Sequence, residues 1–396
     1  MKLFQRLLVA PAALGLFSPL AANATEVNLD EIANYSDVES IDFVSSFENS
    51  NTSDTTEKLL LAGGEGLVDN QSYDGGFSET TTASFSVDFA IGAVDGAGLT
   101  GNDPSGVKVT DGDEDLQATY GFQIDLSTSF TGEDSLDVSL DAGNANGSLA
   151  EFDFNGPSEA LTVDGVSYTF PLGDKTTVIV GDNTDGSALF TTACAYGGPS
   201  NTMDDCANVN AGITNGGAMI GAAYDFGNGV TAAVGYAGNE TSIMTNEGVD
   251  AYGANVAYTA DNYGLSLTYG VLEVGTNENN YTALNGYYSF DSGISVSAGY
   301  ETGDIGGAVA AQDETVAYFV GINGEVGPGE LGASFGTNGS MTEAAGTITE
   351  ELMYEAYYSY PVNDGMTITP LIYVKEDATV GDPDQTGIMV KTSFSF

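Results

Sequence analysis

The sequence contains no histidine and no tryptophan, and its one arginine, Arg6, lies close to the N-terminus. Without imidazole, the side chain that most often activates a catalytic serine is missing, and so is the commonest transition-metal ligand. These absences exclude most hydrolase sites. We therefore expect a chain without catalytic residues, without a cofactor and without a specific metal site.

Basic residues are scarce. Five lysines follow the first 24 residues, against 57 acidic residues, and the formal net charge of the whole chain is −50. Such a chain repels nucleic-acid phosphates and anionic lipid head groups. We expect cations among its partners and no nucleic acid. An acidic surface adapted to salty water is the alternative reason for the charge.

Long hydrophobic runs are missing beyond the N-terminus, where no segment approaches the roughly 18 apolar residues that a spanning helix needs. Residues 1–24 have the features of a secretory signal peptide: the basic Lys2 and Arg6, an apolar stretch over 7–20 and small residues at 22–24. Residues 25–80 are polar and weakly patterned, which predicts a flexible periplasmic leader. The remaining 81–396 is either a secreted soluble domain or a barrel that crosses a membrane with strands.

Residues 81–396 show the alternation of apolar with small or polar residues that is typical of strands with one apolar face. The last run ends on two alternating aromatics, Phe394 and Phe396, as outer-membrane barrels do. The pattern predicts an all-β fold, a transmembrane antiparallel β-barrel with apolar side chains toward lipid and a wet interior. Sixteen runs are visible: 85–91, 116–126, 136–140, 168–172, 177–179, 220–226, 230–236, 252–258, 263–271, 284–290, 294–300, 316–322, 331–335, 352–360, 366–374 and 386–396.

The connections between these runs alternate in length. Tight turns are predicted at 227–229, 261–262, 291–293, 324–329 and 361–365, and longer polar loops at 239–248, 273–280, 302–314, 337–349 and 376–385. Barrels of this kind have short periplasmic turns and longer external loops. Residues 143–165 are interpreted as a further external loop, because one more strand there would make the strand number odd and two more would give eighteen.

Two cysteines, Cys194 and Cys206, lie in the longest connection, residues 182–215. In an oxidising compartment they are expected to form a disulfide. The segment is the third external loop counted from residue 84. It either narrows the lumen or is a surface loop that the disulfide cross-links.

Strand parity predicts which charged residues face the wet interior. Carboxylates there favour cations, so we expect a cation-selective lumen. Two acidic clusters, 111–115 and 182–186, lack the pattern of a calcium loop, and we expect diffuse divalent binding at most. The predicted pore residues are Asp88, Asp125, Asp137, Asp141 and Glu355 on strands, Asp182, Asp185, Asp204 and Asp205 on the third loop, and the basic Lys375 and Lys391.

An aromatic girdle at the membrane interfaces is predicted from tyrosines near the ends of outward stripes. The alternative is that tyrosine is simply a good strand residue. The girdle residues are Tyr236, Tyr252, Tyr258, Tyr300, Tyr354, Tyr358 and Tyr360.

Several segments resemble cyanobacterial outer-membrane porins, a group similar to the carbohydrate-selective porins of the OprB type. They are residues 126–132, the loop 194–202 with Cys206, residues 360–366, the closing residues 390–396 and the signal peptide. Members of that group usually carry an S-layer homology domain after the signal. Residues 35–38 are similar to the start of one, but the following forty residues are too polar, so peptidoglycan anchoring is not expected. The lack of arginine also argues against carrying over sugar specificity.

The resemblance implies a trimeric porin in the outer membrane of a Gram-negative-type, cyanobacterial cell. It would admit inorganic ions and small hydrophilic solutes by passive diffusion, and its third loop would fold inward. Its partners would be outer-membrane lipids, two further copies of the chain, and the barrel assembly machinery, which would read Phe394 and Phe396. The alternatives are a solute-specific uptake channel, or a secreted acidic β protein that binds calcium or surfaces.

Overall fold

The structure is a computed structural model and describes residues 81–96, 116–144, 148–152, 154, 159–214, 216–245, 248–308, 312–344, 346–376 and 384–396. The predicted signal peptide (1–24), the leader (25–80) and the acidic cluster 111–115 lie outside these residues. Among the described residues, no helix is long and apolar enough to cross a membrane.

Sixteen antiparallel strands form one closed barrel, which confirms the predicted all-β fold and strand number. They are β1 (Thr81–Asp95), β2 (Gln117–Thr128), β3 (Ser135–Gly143), β4 (Thr162–Pro171), β5 (Thr176–Asp182), β6 (Ala218–Gly227), β7 (Val230–Gly238), β8 (Asp250–Thr259), β9 (Tyr263–Val274), β10 (Asn277–Ser289), β11 (Ile294–Ile305), β12 (Glu314–Val326), β13 (Gly329–Thr337), β16 (Leu352–Asn363), β17 (Met366–Lys375) and β18 (Gln385–Ser395). A small hairpin, β14 (Met341–Ala344) and β15 (Thr347–Ile348), lies in the connection between β13 and β16, and a 3-10 helix spans Ser148–Glu151.

The barrel closes where the last strand pairs with the first. Strand β18 runs antiparallel to β1, with Phe394 opposite Val87. The two chain segments exchange a further pair of backbone hydrogen bonds, from Phe85 N to Phe396 O (2.9 Å) and from Phe396 N to Phe85 O (3.1 Å). The Phe85 and Phe396 rings stack, with centroids 5.8 Å apart. The terminal aromatic is therefore part of the seam, and the barrel leaves no open sheet edge there.

Side chains alternate between an apolar outer face and a covered inner face. Phe89 and Val256 are about half exposed on the outside (50% and 53%), whereas the next residues inward, Ala90 and Asn255, are buried (4% and 2%). A strand with period 2 needs this alternation when the two sides of the sheet meet different media. The outer face of this barrel is apolar enough to face lipid.

Aromatic pairs recur at the end of the barrel where the short turns lie. This arrangement is the one expected of an aromatic girdle at a membrane interface. The predicted girdle residues Tyr258, Tyr358 and Tyr360 are among the paired rings, and the girdle itself stays a prediction. The pairs are Tyr168 with Phe170, Tyr224 with Phe226, Tyr258 with Tyr263, Tyr288 with Phe290, and Tyr358 with Tyr360.

The short turns have the chemistry that the sequence predicts. Between β6 and β7, Asn228 and Gly229 both have positive φ (56° and 81°), as a two-residue hairpin requires. Between β2 and β3, the Asp134 carboxylate accepts hydrogen bonds from Ser129, Phe130, Thr131 and the Tyr168 hydroxyl. The Tyr168 hydroxyl first, then the Thr131 and Ser129 donors, hold the pKa of Asp134 well below its usual range.

Three connections differ from the expectation. The predicted loop 302–314 starts later than expected, because β11 continues to Ile305. The predicted loop 273–280 is a two-residue turn, because β9 continues to Val274 and β10 starts at Asn277. The predicted loop 143–165 ends earlier than expected, since β4 starts at Thr162. Residues 277–280 are polar on both faces, a pattern that indicates a loop in the sequence, and the first residues of β4 are separated from the rest of the strand by a register shift at Asp164. The backbone hydrogen bonds between strands can nevertheless continue there, because they do not require an apolar face.

Candidate functional site in the barrel lumen

The third loop, residues 183–217 between β5 and β6, lies inside the barrel against the inner wall. Its backbone is fixed by polar side chains of successive strands. Thr191 N donates to Asn255 Oδ1 on β8 (2.9 Å), Ala193 N to Ser266 Oγ on β9 (2.8 Å), and Ala195 N to Ser297 Oγ on β11 (2.9 Å). These bonds satisfy buried loop amides that would otherwise be costly. The loop therefore folds inward and lines the wall of the lumen, as the porin resemblance implies.

The returning half of the loop is held mainly by Glu301 of β11. The buried Glu301 carboxylate accepts hydrogen bonds from Asn210 N (2.8 Å), Asn210 Nδ2 (2.9 Å) and Ala211 N (2.8 Å). Asn285 Nδ2 of β10 donates to Cys206 O (2.7 Å). Because hydrogen bonds to a charged acceptor are the stronger kind, Glu301 is the main anchor of this half.

Glycines on the inner wall allow the loop to lie directly on the strands. A side chain at Gly235 would collide with Gly186 O, and one at Gly299 with Cys206 O. The loop backbone could not approach β7 and β11 this closely if either position carried a Cβ.

The predicted disulfide is present. Cys194 and Cys206 are bonded, and they close a small loop within the third loop. Next to Cys194, the Tyr196 hydroxyl donates to Glu355 Oε1 on β16 (2.6 Å), further along the same wall. Burial first, and then the Glu355 carboxylate, raise the pKa of Tyr196 far above its ordinary value. The phenol therefore stays protonated and remains the donor.

A second part of the chain also lies in the lumen. It belongs to the connection between β3 and β4, and we call its residues Leu149, Glu151, Phe152 and Phe154 the inner segment. Asn201 N of the third loop donates to Glu151 O (2.8 Å), Thr202 N donates to Glu151 Oε1 (3.2 Å), and Phe152 forms an isolated β-bridge with Ser200. The two inward segments are thus bonded to each other.

Both predicted inward lysines contact the inner segment. Lys375 Nζ of β17 forms an ion pair with Glu151. Lys391 Nζ of β18 lies 5.5 Å from the ring centroid of Phe152 and 5.9 Å from that of Phe154, within the range of cation–π attraction. Their charges are therefore engaged with this segment and do not stand free on the wall.

The acidic residues of the lumen collect on the adjoining part of the wall, along β2 to β4, and at the start of the third loop. A pocket of about 270 Å³ there is lined by Asp137, Asp164 and Asp185 together with Ser139, Ser167 and Thr184. We call Asp125, Asp137, Asp141, Asp164 and Asp185 the acidic sector. Neighbouring hydroxyls orient it: Ser139 Oγ donates to Asp125 (2.7 Å) and Thr162 Oγ1 to Asp141 (2.7 Å).

Solved structures of bacterial porins have an architecture similar to that of this chain. The anion-selective porin from Comamonas acidovorans is 17% identical, with a TM-score of 0.57 over 80% of this chain and 99% of that one. A triple mutant of the Rhodopseudomonas blastica porin is 15% identical, with a TM-score of 0.56 over 80% and 100% of the two chains. The chain has the porin fold. At these identities the likeness shows the fold alone. No protein-family model matches the sequence, and no curated protein does.

Within this porin fold, most predicted pore residues lie where strand parity placed them. Asp88, Asp125, Asp137 and Asp141 occupy inward register positions, and Asp204 and Asp205 are exposed on the third loop. Asp182 differs from the expectation: it is predicted on the third loop, but it ends β5 and lies opposite Val166 on the outward-facing row. Glu355 faces inward but is only 4% exposed, since the third loop covers it.

Four further polar residues of the lumen are absent from the predicted set. The sequence pattern assigns Asp164 to a loop, whereas in the structure it is the extra residue of an irregularity in the β3–β4 ladder. Asn255, Asn285 and Glu301 are each a bulky polar residue on an inward stripe. That signal alone marks a residue that needs a partner inside the barrel.

Proposed function

We propose that the chain is an outer-membrane porin through which inorganic ions and small hydrophilic solutes diffuse passively, with a preference for cations. The observation that supports this most is the barrel itself, which is closed by β1 and β18 and has apolar side chains outside and an acidic sector inside. A closed barrel satisfies every strand edge, which is a condition for crossing lipid.

The cation preference follows from the charges of the lumen. Five carboxylates form the acidic sector, whereas Lys375 and Lys391 are engaged with the inner segment. Carboxylates along a permeation path lower the energy of a cation and raise that of an anion. Among the described residues, the charges that line the lumen therefore favour cations. This expectation does not depend on the selectivity of other porins.

We place the protein in the outer membrane of a cyanobacterial cell as a homotrimer, with Phe394 and Phe396 read by the barrel assembly machinery. These points rest on the sequence resemblance.

Two alternative functions would require other structural features. A secreted acidic β protein would have to bury its apolar stripes, whereas here Phe89, Ile91, Val256 and Leu284 are about half exposed on the outside. A solute-specific channel would differ in its constriction only.

Vesicle permeation tests the proposal. Purified mature protein in lipid vesicles should admit K⁺ and small neutral sugars while retaining a large dextran. Vesicles without protein are the baseline, and heat-unfolded protein is the control for nonspecific leakage. A chain that stays monodisperse in buffer without detergent, and leaves the vesicles impermeable, would be a soluble protein and not a porin.

Unheated gel electrophoresis tests the oligomeric state. A homotrimer should migrate at about three times the mass of the heated chain.

A further inference from the structure

The inner segment is buried deeply for a part of an external connection. Leu149 is 1% exposed and Phe152 is 0% exposed. The 3-10 helix that leads into Phe152 packs against β1 and touches β2. Loops are normally on the surface, because their backbone groups are then satisfied by water. Here the wall and the third loop supply the partners instead.

The wall beneath the inner segment is apolar on its inner face. Ala90, Val94, Met353, Leu371 and Met389 are inward residues of β1, β16, β17 and β18, and they form one buried cluster with Leu149 and Phe152. We call these five residues the covered sector. An apolar wall would be exposed to water in an open lumen, at a cost of about 25 cal/mol per Å². The inner segment removes that cost by covering it.

Polar contacts fix the segment in the same place from two sides. Glu151 is paired with Lys375 of the wall and accepts from Thr202 N of the third loop. Lys391 lies over the rings of Phe152 and Phe154. Because a buried ion pair is costly to break on one side only, these contacts oppose release of the segment into the solvent.

We propose that the inner segment is a second constriction element, which closes the covered sector and confines permeating solutes to the acidic sector. This rests on the proposed function and identifies the residues that set its selectivity. Glu151, Phe152, Lys375 and Lys391 act together. The lysines hold the segment and are kept off the path, so that the carboxylates of the acidic sector face the passing ion.

Thiol accessibility tests this directly, because both cysteines of the chain are in the disulfide and an introduced thiol is unique. Ser139→Cys reports on the acidic sector and Met389→Cys on the covered sector. With protein in lipid vesicles and a cationic methanethiosulfonate reagent, mass spectrometry should show Ser139→Cys modified and Met389→Cys protected. Adding Phe152→Ala should expose Met389→Cys. Adding Met244→Ala, a change on an exposed external loop, should leave it protected.

Leu371→Cys provides a second probe of the covered sector if Met389→Cys does not fold. Rapid labelling of either probe with the inner segment intact would overturn the proposal, and so would continued protection in the Phe152→Ala background. Labelling needs no current, so its outcome is separate from that of vesicle permeation. If the protein conducts, Phe152→Ala should also raise the single-channel conductance, and Met244→Ala should not.

Discussion

At the scale of single residues, the acidic sector is sensitive to pH through Asp185. Desolvation first, and then the nearby Asp164 carboxylate, raise the pKa of Asp185 above its ordinary value. A raised pKa means that the carboxylate takes up a proton at a higher pH than an ordinary aspartate. Its negative charge is complete only above that raised pKa and is lost as the pH falls through it.

We therefore predict that the cation preference weakens on acidification, and that part of the loss occurs before ordinary aspartates protonate near pH 4. Reversal potentials across a fixed KCl gradient, measured from neutral to acidic pH, check this. Asp185→Asn should reduce the early part of the change. Asp174→Asn, which alters an exposed acid in the β4–β5 turn, is the matched control. An early loss that persists in Asp185→Asn would assign it to another group.

The anchor of the third loop is a second residue-scale test. Glu301→Gln keeps the shape of the side chain but weakens three charge-assisted hydrogen bonds from Asn210 and Ala211. Each such bond contributes about 1.5–3 kcal/mol. We expect a lower unfolding temperature in detergent and larger fluctuations of the open-channel current. Glu325→Gln changes an exposed glutamate at the turn end of the neighbouring strand and should do neither.

At the scale of elements, strands could be predicted far better than the loops that enter the lumen. Each barrel strand meets lipid on one face and the interior on the other, so its pattern repeats locally with period 2. All sixteen barrel strands therefore follow from the sequence. The limits of β4, β9 and β10 do not, because β10 begins with four polar residues, 277–280, and β4 has a register shift at Asp164 that interrupts its pattern.

The path of the inner segment could not be predicted, since its burial depends on distant partners. Residues 151–154 alternate weakly and are equally consistent with a strand or a loop. Only the folded barrel brings Lys375 and Lys391 to Glu151 and Phe152. The same is true of the covered Glu355, whose inward direction follows from parity but whose burial depends on Tyr196 of the third loop.

At the scale of the whole molecule, the seam between β1 and β18 determines whether a barrel forms at all. Phe396→Ala removes the ring that stacks on Phe85 but keeps the backbone pairing, and such ring contacts contribute about 0.5–1.5 kcal/mol. We expect a folded but less heat-resistant barrel, measured by the temperature at which unheated gel mobility is lost. In cells, the amount of protein in the outer membrane should fall.

Phe130→Ala is the control for that prediction, because Phe130 is another exposed aromatic at the turn end (61%) that takes no part in the seam. Equal losses in both variants would mean that any interfacial aromatic has this effect. The special role of the terminal residue would then be rejected.

The reversal potential of the mature protein in a planar bilayer, across a KCl gradient at neutral pH, tests the whole account most directly. It requires both that the apolar outer face inserts into lipid and that the acidic sector borders the ion path. We predict stepwise channel openings and a reversal potential of the sign set by K⁺ flux. A preference for chloride, or no openings from protein that is folded and inserted, would contradict it.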